Sequence, residues 1–512
     1  MNLLIEAARR HGDATFIVEG DQRYSYADVF ARRDALVPLL GIAPGDRVVI
    51  SMRNRVEWVI ACLAVWRAGG VPALANSRGS PAEHAAAVAE VSPALVIADA
   101  ERADLLMAAG HGGPMLLASD FPPPAAHALP PPVPCRADDP AVILFTSGTT
   151  GRSKGAVLTQ RNLITGIMAM QLSGLMILHD KAAQLGISPE QIIAAMPQAA
   201  VLVVFPLFHI SGLGAAFLSP MFSGSKLVIM RRWDPEEALR LIEAEKVTQF
   251  TAVPTMLWDV LNRAHVAAAD LSSLRSVSSG GQALPINLLE AIRKACPQAV
   301  MGTGYGMTET SGSLSMAIGE DFIRKRASAG RVLPLVEMQI VGEDGQPLPR
   351  GQAGEIVVRG DMVMQGYHGR LEETAAVLSP DGWLKTGDIG LIDEEDYVFI
   401  VDRKKDMVIS GGENIYCAEV ERVINEMPEV SECAAFGIPD ERLGELLVAI
   451  VVADGLDGAT IIARVADALA RYKAPGQVIF SDNPLPRNAV GKIDKVQLRD
   501  RWSALAATKG TE

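Results

Sequence analysis

Short apolar runs and helical patterns alternate along the first 120 residues. The runs at residues 47–50 and 94–97 are short and rich in Val and Ile, which is typical of buried strands. Residues 56–66 place apolar side chains at helical spacing, and this pattern ends just before Gly69 and Gly70. Strands that alternate with helices predict an α/β sheet.

The alternation stops at a proline-rich connector, residues 121–134, and resumes after residue 200. The runs at residues 248–253, 276–279 and 299–301 are strand-like, and each is followed by a polar or glycine-rich turn. Ligands bind outside the carboxyl ends of parallel strands. These turns are therefore expected to face one crevice.

The pattern changes between residues 331 and 401, where valine-rich runs alternate with Gly/Asp turns. This alternation predicts antiparallel strands, in a small barrel-like part of the first domain. A charged stretch at residues 402–406 follows, and the remaining residues have an α/β pattern of their own. We expect an N-terminal domain at residues 1–401, a hinge at 402–406 and a small mobile C-terminal α+β domain at 407–512.

Residues 163–179 carry no charge until their end, but they contain Gly166 and Gly174. Because the stretch is near the lower length limit of a membrane span, we favour a buried helix and expect no transmembrane segment. Peripheral membrane contact stays open. Residues 180–198 are assigned no role.

Composition bounds the function. The chain has 512 residues and a net charge of −13, without basic runs, so nucleic acid is not an expected partner. Its five cysteines form no CxxC pair and indicate reduced thiols, and the N-terminus lacks a secretory pattern. We expect a cytoplasmic protein, for which a homodimer is an open alternative.

The most distinctive stretch is residues 146–155, TSGTTGRSKG, which follows the strand-like run at residues 141–145. A strand that leads into glycines offers free backbone N–H groups, and hydroxyls with a lysine suit phosphate oxygens. The Walker loop does not fit, because Gly155 occupies the place of its required Ser or Thr. A plain surface turn is the alternative interpretation.

Four further motifs follow in order: YGMTET at 305–310, GWLKTGD at 382–388, DRKKDMVISGGENIY at 402–416 and PRNAVGK at 486–492. Together with the glycine stretch they resemble the adenylate-forming superfamily, in its acyl-CoA synthetase branch. The resemblance implies an enzyme that uses ATP, Mg²⁺ and coenzyme A. A carboxylic acid would become an acyl-adenylate, from which a thiol then displaces AMP.

The resemblance also assigns site residues. Lys492 and Thr308 would serve the first step, with His209 beside the carboxylate, and Glu309 would hold Mg²⁺. The residues expected to bind ATP or CoA are Thr146, Ser147, Gly148, Thr149, Thr150, Gly151, Lys154, Gly280, Gly281, Gln282, Gly304, Tyr305, Gly306, Thr308, Asp388, Arg403, Gly411, Gly412 and Lys492.

Within this set the resemblance gives individual roles. Tyr305 would stack on adenine, while Asp388 and Arg403 would contact the ribose. The resemblance makes Lys405 the pivot of a domain rotation, after which Gly411 and Gly412 would border the pantetheine tunnel.

The acid itself is less defined. Residues expected near the acyl group are uncharged, which argues against a second carboxylate on the substrate. They are Ser211, Gly212, Leu213, Val253, Met256, Gly281, Gly304, Gly306, Met307 and Met316. A medium- or long-chain fatty acid is the first expectation, and a coumarate- or benzoate-like aromatic acid is the second. An acyl-AMP ligase serving a carrier protein, a light-emitting oxygenase and a non-enzymatic binding protein are the alternative classes.

Overall fold

The computed structural model describes residues 1–124, 131–146, 153–261, 269–280, 286–411, 413–440, 442–488 and 492–501. Within these ranges the strands form three sheets, of 13, 7 and 5 strands. Helices pack against the sheets, so the predicted α/β class is confirmed.

The strands are numbered in chain order. They are β1 (Thr15–Glu19), β2 (Gln22–Ser25), β3 (Arg47–Ser51), β4 (Val71–Leu74), β5 (Leu95–Ala98), β6 (Met115–Leu117), β7 (Pro140–Thr146), β8 (Lys154–Thr159), β9 (Ala200–Val203), β10 (Lys226–Ile229), β11 (Gln249–Ala252), β12 (Ser276–Gly280), β13 (Val300–Met307), β14 (Gly312–Ile318), β15 (Gly330–Val332), β16 (Glu337–Val341), β17 (Gly354–Arg359), β18 (Gly366–Tyr367), β19 (Leu384–Ile392), β20 (Tyr397–Arg403), β21 (Val408–Ser410), β22 (Glu413–Ile415), β23 (Val430–Asp440), β24 (Gly444–Ala453) and β25 (Gln477–Phe480).

The α-helices are numbered likewise. They are α1 (Asn2–Ala7), α2 (Tyr26–Leu36), α3 (Val56–Arg67), α4 (Pro81–Val91), α5 (Ala100–Ala108), α6 (Gln160–Leu185), α7 (Pro189–Ala195), α8 (Ser219–Phe222), α9 (Pro235–Ala244), α10 (Pro254–Leu261), α11 (Ile286–Ala295), α12 (Glu320–Arg324), α13 (Leu371–Val377), α14 (Cys417–Asn425) and α15 (Gly458–Ala468).

The largest sheet joins a parallel part to an antiparallel part. Its strand order is β16-β17-β19-β20-β15-β14-β13-β12-β11-β9-β10-β1-β2. Strands β9 to β13 pair in parallel, apart from their connection to the antiparallel β14. The antiparallel pairing expected after residue 331 is present in β15 to β20. This continuous ladder places β13, β19 and β20 in one sheet.

Two predicted element bounds need correction. Strand β13 continues through Gly302, Gly304 and Gly306 to Met307, although the glycines had predicted a turn from residue 302. Glycine lowers strand propensity, so pairing with β12 and β14 overrides the local signal here. Strand β8 also follows the glycine stretch, where a helix was expected directly.

The main core lies around α3, whose residues are almost all buried. Trp58 and Trp66 are among the largest buried side chains, and Trp58 meets Phe217 edge-on at 6.0 Å between ring centroids. The Trp66 indole N–H donates to the Ala141 carbonyl at 2.7 Å. Since Ala141 begins the apolar run of β7, this core fixes the strand that leads into the glycine stretch.

The third sheet has the order β22-β21-β24-β23, with β25 parallel to β24. It has a core of its own, in which α14 and α15 pack through Val420, Ile424, Ile461 and Val465. Residues 404–406 form the turn that precedes this sheet. The hinge role of residues 402–406 stays a prediction.

Helix α6 departs from the expected buried helix. It is the one helix in the described ranges that is long and apolar enough, by length and composition, to cross a membrane. Its first turns are buried at Leu163 and Ile167, but Leu175 and Met176 are exposed. The interpretation as a buried helix is therefore wrong for the second half, because the helix extends beyond the body that covers its start.

Candidate active site

A buried carboxylate, Asp388, contacts the other predicted ribose residue, Arg403, and the predicted adenine residue, Tyr305. Its side chain is only 3% exposed, and it pairs with the Arg403 guanidinium at 3.0 Å. The Tyr305 hydroxyl donates to the same carboxylate at 2.7 Å. Asp388 and Arg403 are direct partners across the β19–β20 ladder, so the sheet register brings these two motifs together.

Hydrogen bonds fix the part of β19 that leads to Asp388. The Asp388 backbone N–H donates to the Thr386 hydroxyl at 3.1 Å, and that hydroxyl donates to the Ile356 carbonyl on β17 at 2.8 Å. Gly387 adopts a φ of 72°, in the left-handed region that favours glycine. The TGD motif therefore lies within β19, where a left-handed glycine makes the strand irregular just before Asp388.

Tyr305 is positioned by an irregular strand edge. The β13–β14 register shifts between Tyr305 and Gly306. A Cβ at Gly306 would lie 2.0 Å from the Gly312 carbonyl oxygen, so only glycine allows the two strands this approach. Burial raises the pKa of Tyr305, and the Asp388 charge adds to the rise. The phenol stays protonated and can donate its hydrogen bond.

The C-terminal segment brings a lysine to this carboxylate. Lys492 lies close enough to Arg403 and Asp388 for both charges to act on it; burial and Arg403 lower its pKa. Its backbone N–H donates to the Asn488 side chain at 3.1 Å. Tyr305, Asp388 and Arg403 are therefore in direct contact, and Lys492 lies within electrostatic range of Asp388 and Arg403.

His209 borders the same region from the other side. Burial, with the nearby Lys492 charge, lowers the pKa of His209 to about 4, so the imidazole is neutral near pH 7. Its Nδ1 accepts the Ser211 backbone N–H at 3.3 Å, which leaves the proton on Nε2. A π-helical stretch, Ser211–Leu218, begins there. Such stretches are frequent at functional sites.

Glu309, the predicted metal ligand, is buried next to Thr308 in a short helical turn after β13. Burial raises the pKa of Glu309, while a hydrogen bond from the Tyr367 hydroxyl at 2.8 Å favours the ionised form. Mg²⁺ typically takes one or two carboxylates together with substrate phosphates and water. A single buried carboxylate among the described residues, near the predicted phosphate loop, fits that requirement.

Tyr367 was not found by sequence reasoning. It lies on β18, which pairs with β8, and its ring lies 5.0 Å from the Lys154 ammonium. The hydroxyl and the ring of one side chain thus contact a predicted metal ligand and a predicted phosphate ligand. No local pattern marks it, since Glu309 is 58 residues away in the chain.

The end of the glycine stretch is held by another unpredicted residue. Glu90 accepts the Gly155 backbone N–H at 2.7 Å and pairs with Arg370 at 3.0 Å. Thr146 and Lys154 are register partners across β7 and β8. The two strands therefore fix both ends of the predicted phosphate loop.

Several predicted residues lie outside the described ranges: Ser147, Gly148, Thr149, Thr150, Gly151, Gly281, Gln282 and Gly412. Gly280 and Gly304 are register partners on β12 and β13, in the same sheet as Tyr305. Gly411, at the other side of the predicted hinge, is exposed with a φ of 59°. Among the described residues Gly411 contacts Leu443, and it makes no contact with the Asp388 cluster in this arrangement.

The hinge stretch carries a further buried carboxylate, Asp402. Its oxygens accept the backbone N–H groups of Arg403 at 2.7 Å and of Ala418, in α14, at 3.2 Å. Burial raises the pKa of Asp402 to about 6, and the Lys495 charge opposes that rise. Asp402 therefore ties β20 to the first helix of the C-terminal sheet.

Two family models match this chain, one in each of its two parts. Residues 4–368 match the AMP-binding enzyme family, and residues 419–492 match the AMP-binding enzyme C-terminal domain. The chain belongs to the AMP-binding enzyme family. The resemblance to adenylate-forming enzymes is confirmed, and the second match ends at Lys492.

Relatives of known name match nearly the whole chain. A feruloyl-CoA synthase from Amycolatopsis sp is 36% identical over 97% of this chain and 98% of its own length. The long-chain-fatty-acid–CoA ligase FadD13 from Mycobacterium tuberculosis is 34% identical, with 94% of each chain covered. A solved structure of O-succinylbenzoate coenzyme A synthetase (MenE) from Bacillus subtilis, in complex with ATP and magnesium ion, has a TM-score of 0.81 and 29% identity over 98% of both chains.

The hydrogen bond between Tyr367 and Glu309 allows the predicted metal site to be tested. Tyr367→Phe removes the hydroxyl that orients the carboxylate, and loss of such partners typically weakens a metal site by about 10–100-fold. We expect the Mg²⁺ concentration for half-maximal pyrophosphate release to rise about tenfold. Tyr472→Phe, at a half-exposed tyrosine, is the matched control. An unchanged Mg²⁺ dependence in Tyr367→Phe would contradict the role.

Proposed function

We propose that this protein is an ATP-dependent carboxylic acid–CoA ligase, which works through an acyl-adenylate. The observation that carries the proposal is the cluster of Asp388, Tyr305 and Arg403 with Lys492 beside it. A buried carboxylate with two fixed partners suits the two hydroxyls of a ribose, and the lysine adds a cation near the reacting groups. The CoA ligase names of the relatives support the same reaction class.

In the first step a carboxylate oxygen of the acid attacks the α-phosphorus of ATP, and the bond to pyrophosphate breaks. Both reactants are anionic. Lys492 would lie between them and offset their repulsion, since an ammonium is a compact cation. In the second step the CoA thiol attacks the acyl carbon, and AMP leaves.

Mg²⁺ would neutralise phosphate charge as pyrophosphate leaves. Among the described residues Glu309 would hold the ion, and Tyr367 would fix the carboxylate. Lys154 would contact the phosphates from β8, and Thr308 would donate to the α-phosphate. The phosphate-binding role of the glycine stretch stays a prediction, because most of it lies outside the described ranges.

The acyl group is proposed to be apolar and to carry a ring. His209 is neutral, and the π-helical stretch behind it contributes the buried Leu213. A Cβ at Gly280 would lie only 3.4 Å from the Phe205 ring, which indicates an aromatic wall beside the predicted acyl side. The feruloyl-CoA synthase relative favours a hydroxylated arylpropenoate. The fatty acid expectation is the second candidate, which the FadD13 relative favours.

The small C-terminal domain is proposed to move between the two steps. Lys405 is exposed in the turn between β20 and β21, so its backbone can change without breaking a core. In the arrangement described here Lys492 lies within electrostatic range of Asp388, which suits the first step. A rotation would withdraw Lys492 and bring Gly411 toward the thiol.

Removal of the Lys492 side chain should separate the two half-reactions. Lys492→Ala removes the cation that offsets carboxylate and phosphate repulsion, so we expect acid-dependent pyrophosphate release to fall at least about 100-fold. Thioester formation from supplied acyl-AMP should stay within about threefold. Lys246→Ala, at an exposed lysine paired with Asp270, should leave both steps unchanged. Equal loss of both half-reactions would contradict the assignment.

The class of acid that the protein activates is tested with a panel of substrates. Pyrophosphate release is measured with arylpropenoates, arylacetates, benzoates and fatty acids of graded length, with and without CoA. We expect the highest kcat/KM for a ring-bearing acid, with AMP and acyl-CoA formed in equal amounts. Highest activity with a long-chain fatty acid would replace the first substrate class by the second. Acyl-AMP that is not consumed by CoA would support a ligase for a carrier protein, and no release with any acid would overturn the enzyme class.

A further inference from the structure

Helix α6 begins inside the body of the protein and ends outside it. At its start the Asn162 side chain donates to the Asp361 carbonyl at 2.9 Å. A Cβ at Gly166 would lie 2.6 Å from the Ser311 carbonyl oxygen, so the helix touches the body's backbone there. After Ala169 most residues of the helix are exposed, and Ala182 is the buried exception in its last turns.

An apolar stripe runs along the exposed part. Met168, Leu172 and Leu175 are 53%, 41% and 49% exposed, and Met176 is 57% exposed. Met168, Leu172 and Leu175 are separated in the chain by four and then three positions. This is the spacing with which one helix packs along another, and here no described helix of the same chain covers it.

The following turn and helix α7 enlarge this surface. Gly186 ends α6 in the left-handed conformation, and α7 then folds back against α6. The large apolar side chains of this projection that are exposed by two fifths or more are Met168, Leu172, Leu175, Met176, Ile177, Leu185, Ile187, Ile193 and Met196. Together they leave on the order of 500 Å² of apolar surface uncovered.

This exposed apolar area is similar to the apolar area that each partner buries in a stable dimer. A standard interface covers about 800 Å² on each partner, of which roughly 65% is apolar in homodimers. The largest apolar patch on a monomer typically covers about 300–600 Å², and such a patch often has a binding role. The exposed side chains of the whole projection are therefore of the size that a dimer needs, and four of the nine belong to the α6 stripe.

A membrane is a poorer occupant for the same surface. Residues 170–185, the part of α6 beyond the body, rise only about 24 Å, which is less than a hydrocarbon core of ~30 Å. Asp180, Lys181 and Glu190 lie near the outer end and would enter the bilayer first. The net charge of −13 also opposes approach to anionic lipids.

We propose that the stripe on α6 pairs with the same stripe of a second copy, in a two-fold symmetric, antiparallel helix contact. With Leu172 at the axis, Met168 of each copy faces Leu175 and Met176 of the other. A two-fold contact uses one patch on both subunits, and a stripe with apolar residues on both sides of its centre is self-complementary. The charged residues near Asp180 stay in water at the two ends.

The first experiment measures the mass of the full-length protein by light scattering after size exclusion, at micromolar concentrations. We expect twice the chain's 54.5 kDa for the unchanged protein. Leu172→Glu would place two carboxylates at the axis, and we expect dimer affinity to fall at least about 100-fold. Leu371→Glu, at a leucine that is 86% exposed on α13, adds the same charge and should leave the dimer intact.

A second experiment locates the contact. In a Cys135→Ser background, which removes the exposed native thiol, Leu172→Cys should form a disulfide-linked dimer on mild oxidation, whereas Leu371→Cys should not. Pyrophosphate release by Leu172→Glu should match that of the unchanged protein, which separates lost pairing from lost folding. A monomer at every concentration, a dimer that survives Leu172→Glu, or stripe-dependent sedimentation with phosphatidylcholine or phosphatidylglycerol vesicles would each overturn the proposal.

Discussion

The arrangement of the candidate site depends on one buried carboxylate. Asp388 is almost fully removed from water, and such a charge is costly unless it is paired and hydrogen-bonded. Arg403 and Tyr305 meet that requirement, each from a different strand. A change in the position of either partner's strand would remove one of the two groups that stabilise the buried charge. The geometry of the site is therefore maintained by the same contact that stabilises the fold around it.

The sheet explains how distant segments reach one another. Strands β13, β15, β19 and β20 belong to one hydrogen-bonded ladder, so Tyr305, Asp388 and Arg403 are held by a rigid element. Lys492 comes from the C-terminal part, whose sheet is separate and whose core is its own. A site that is rigid on one side and separable on the other suits a reaction in two steps, which need different neighbours.

Much of this could be predicted from the sequence, because the informative signals are local. Apolar runs and turn residues identify most strands, and the motifs around Thr308, Asp388 and Lys492 each mark a side chain of the candidate site. Contacts made between distant segments were missed. Tyr367 and Glu90 act through partners 58 and 65 residues away or more, and no local pattern records such a pairing. The predicted strand at residues 299–301 ends before the observed end of β13, because its glycines signal a turn unless the neighbouring strands are known.

The most direct test of the account is the affinity of an acyl-sulfamoyl-adenosine, a stable mimic of the acyl-adenylate, for the unchanged protein and for Asp388→Asn by titration calorimetry. The account predicts roughly 100-fold weaker binding to Asp388→Asn, because the ribose hydroxyls lose a charged acceptor. A 2′,3′-dideoxy mimic should bind both proteins with similar affinity. Equal losses for the two mimics, or no loss for either, would contradict the assignment of Asp388 to the ribose.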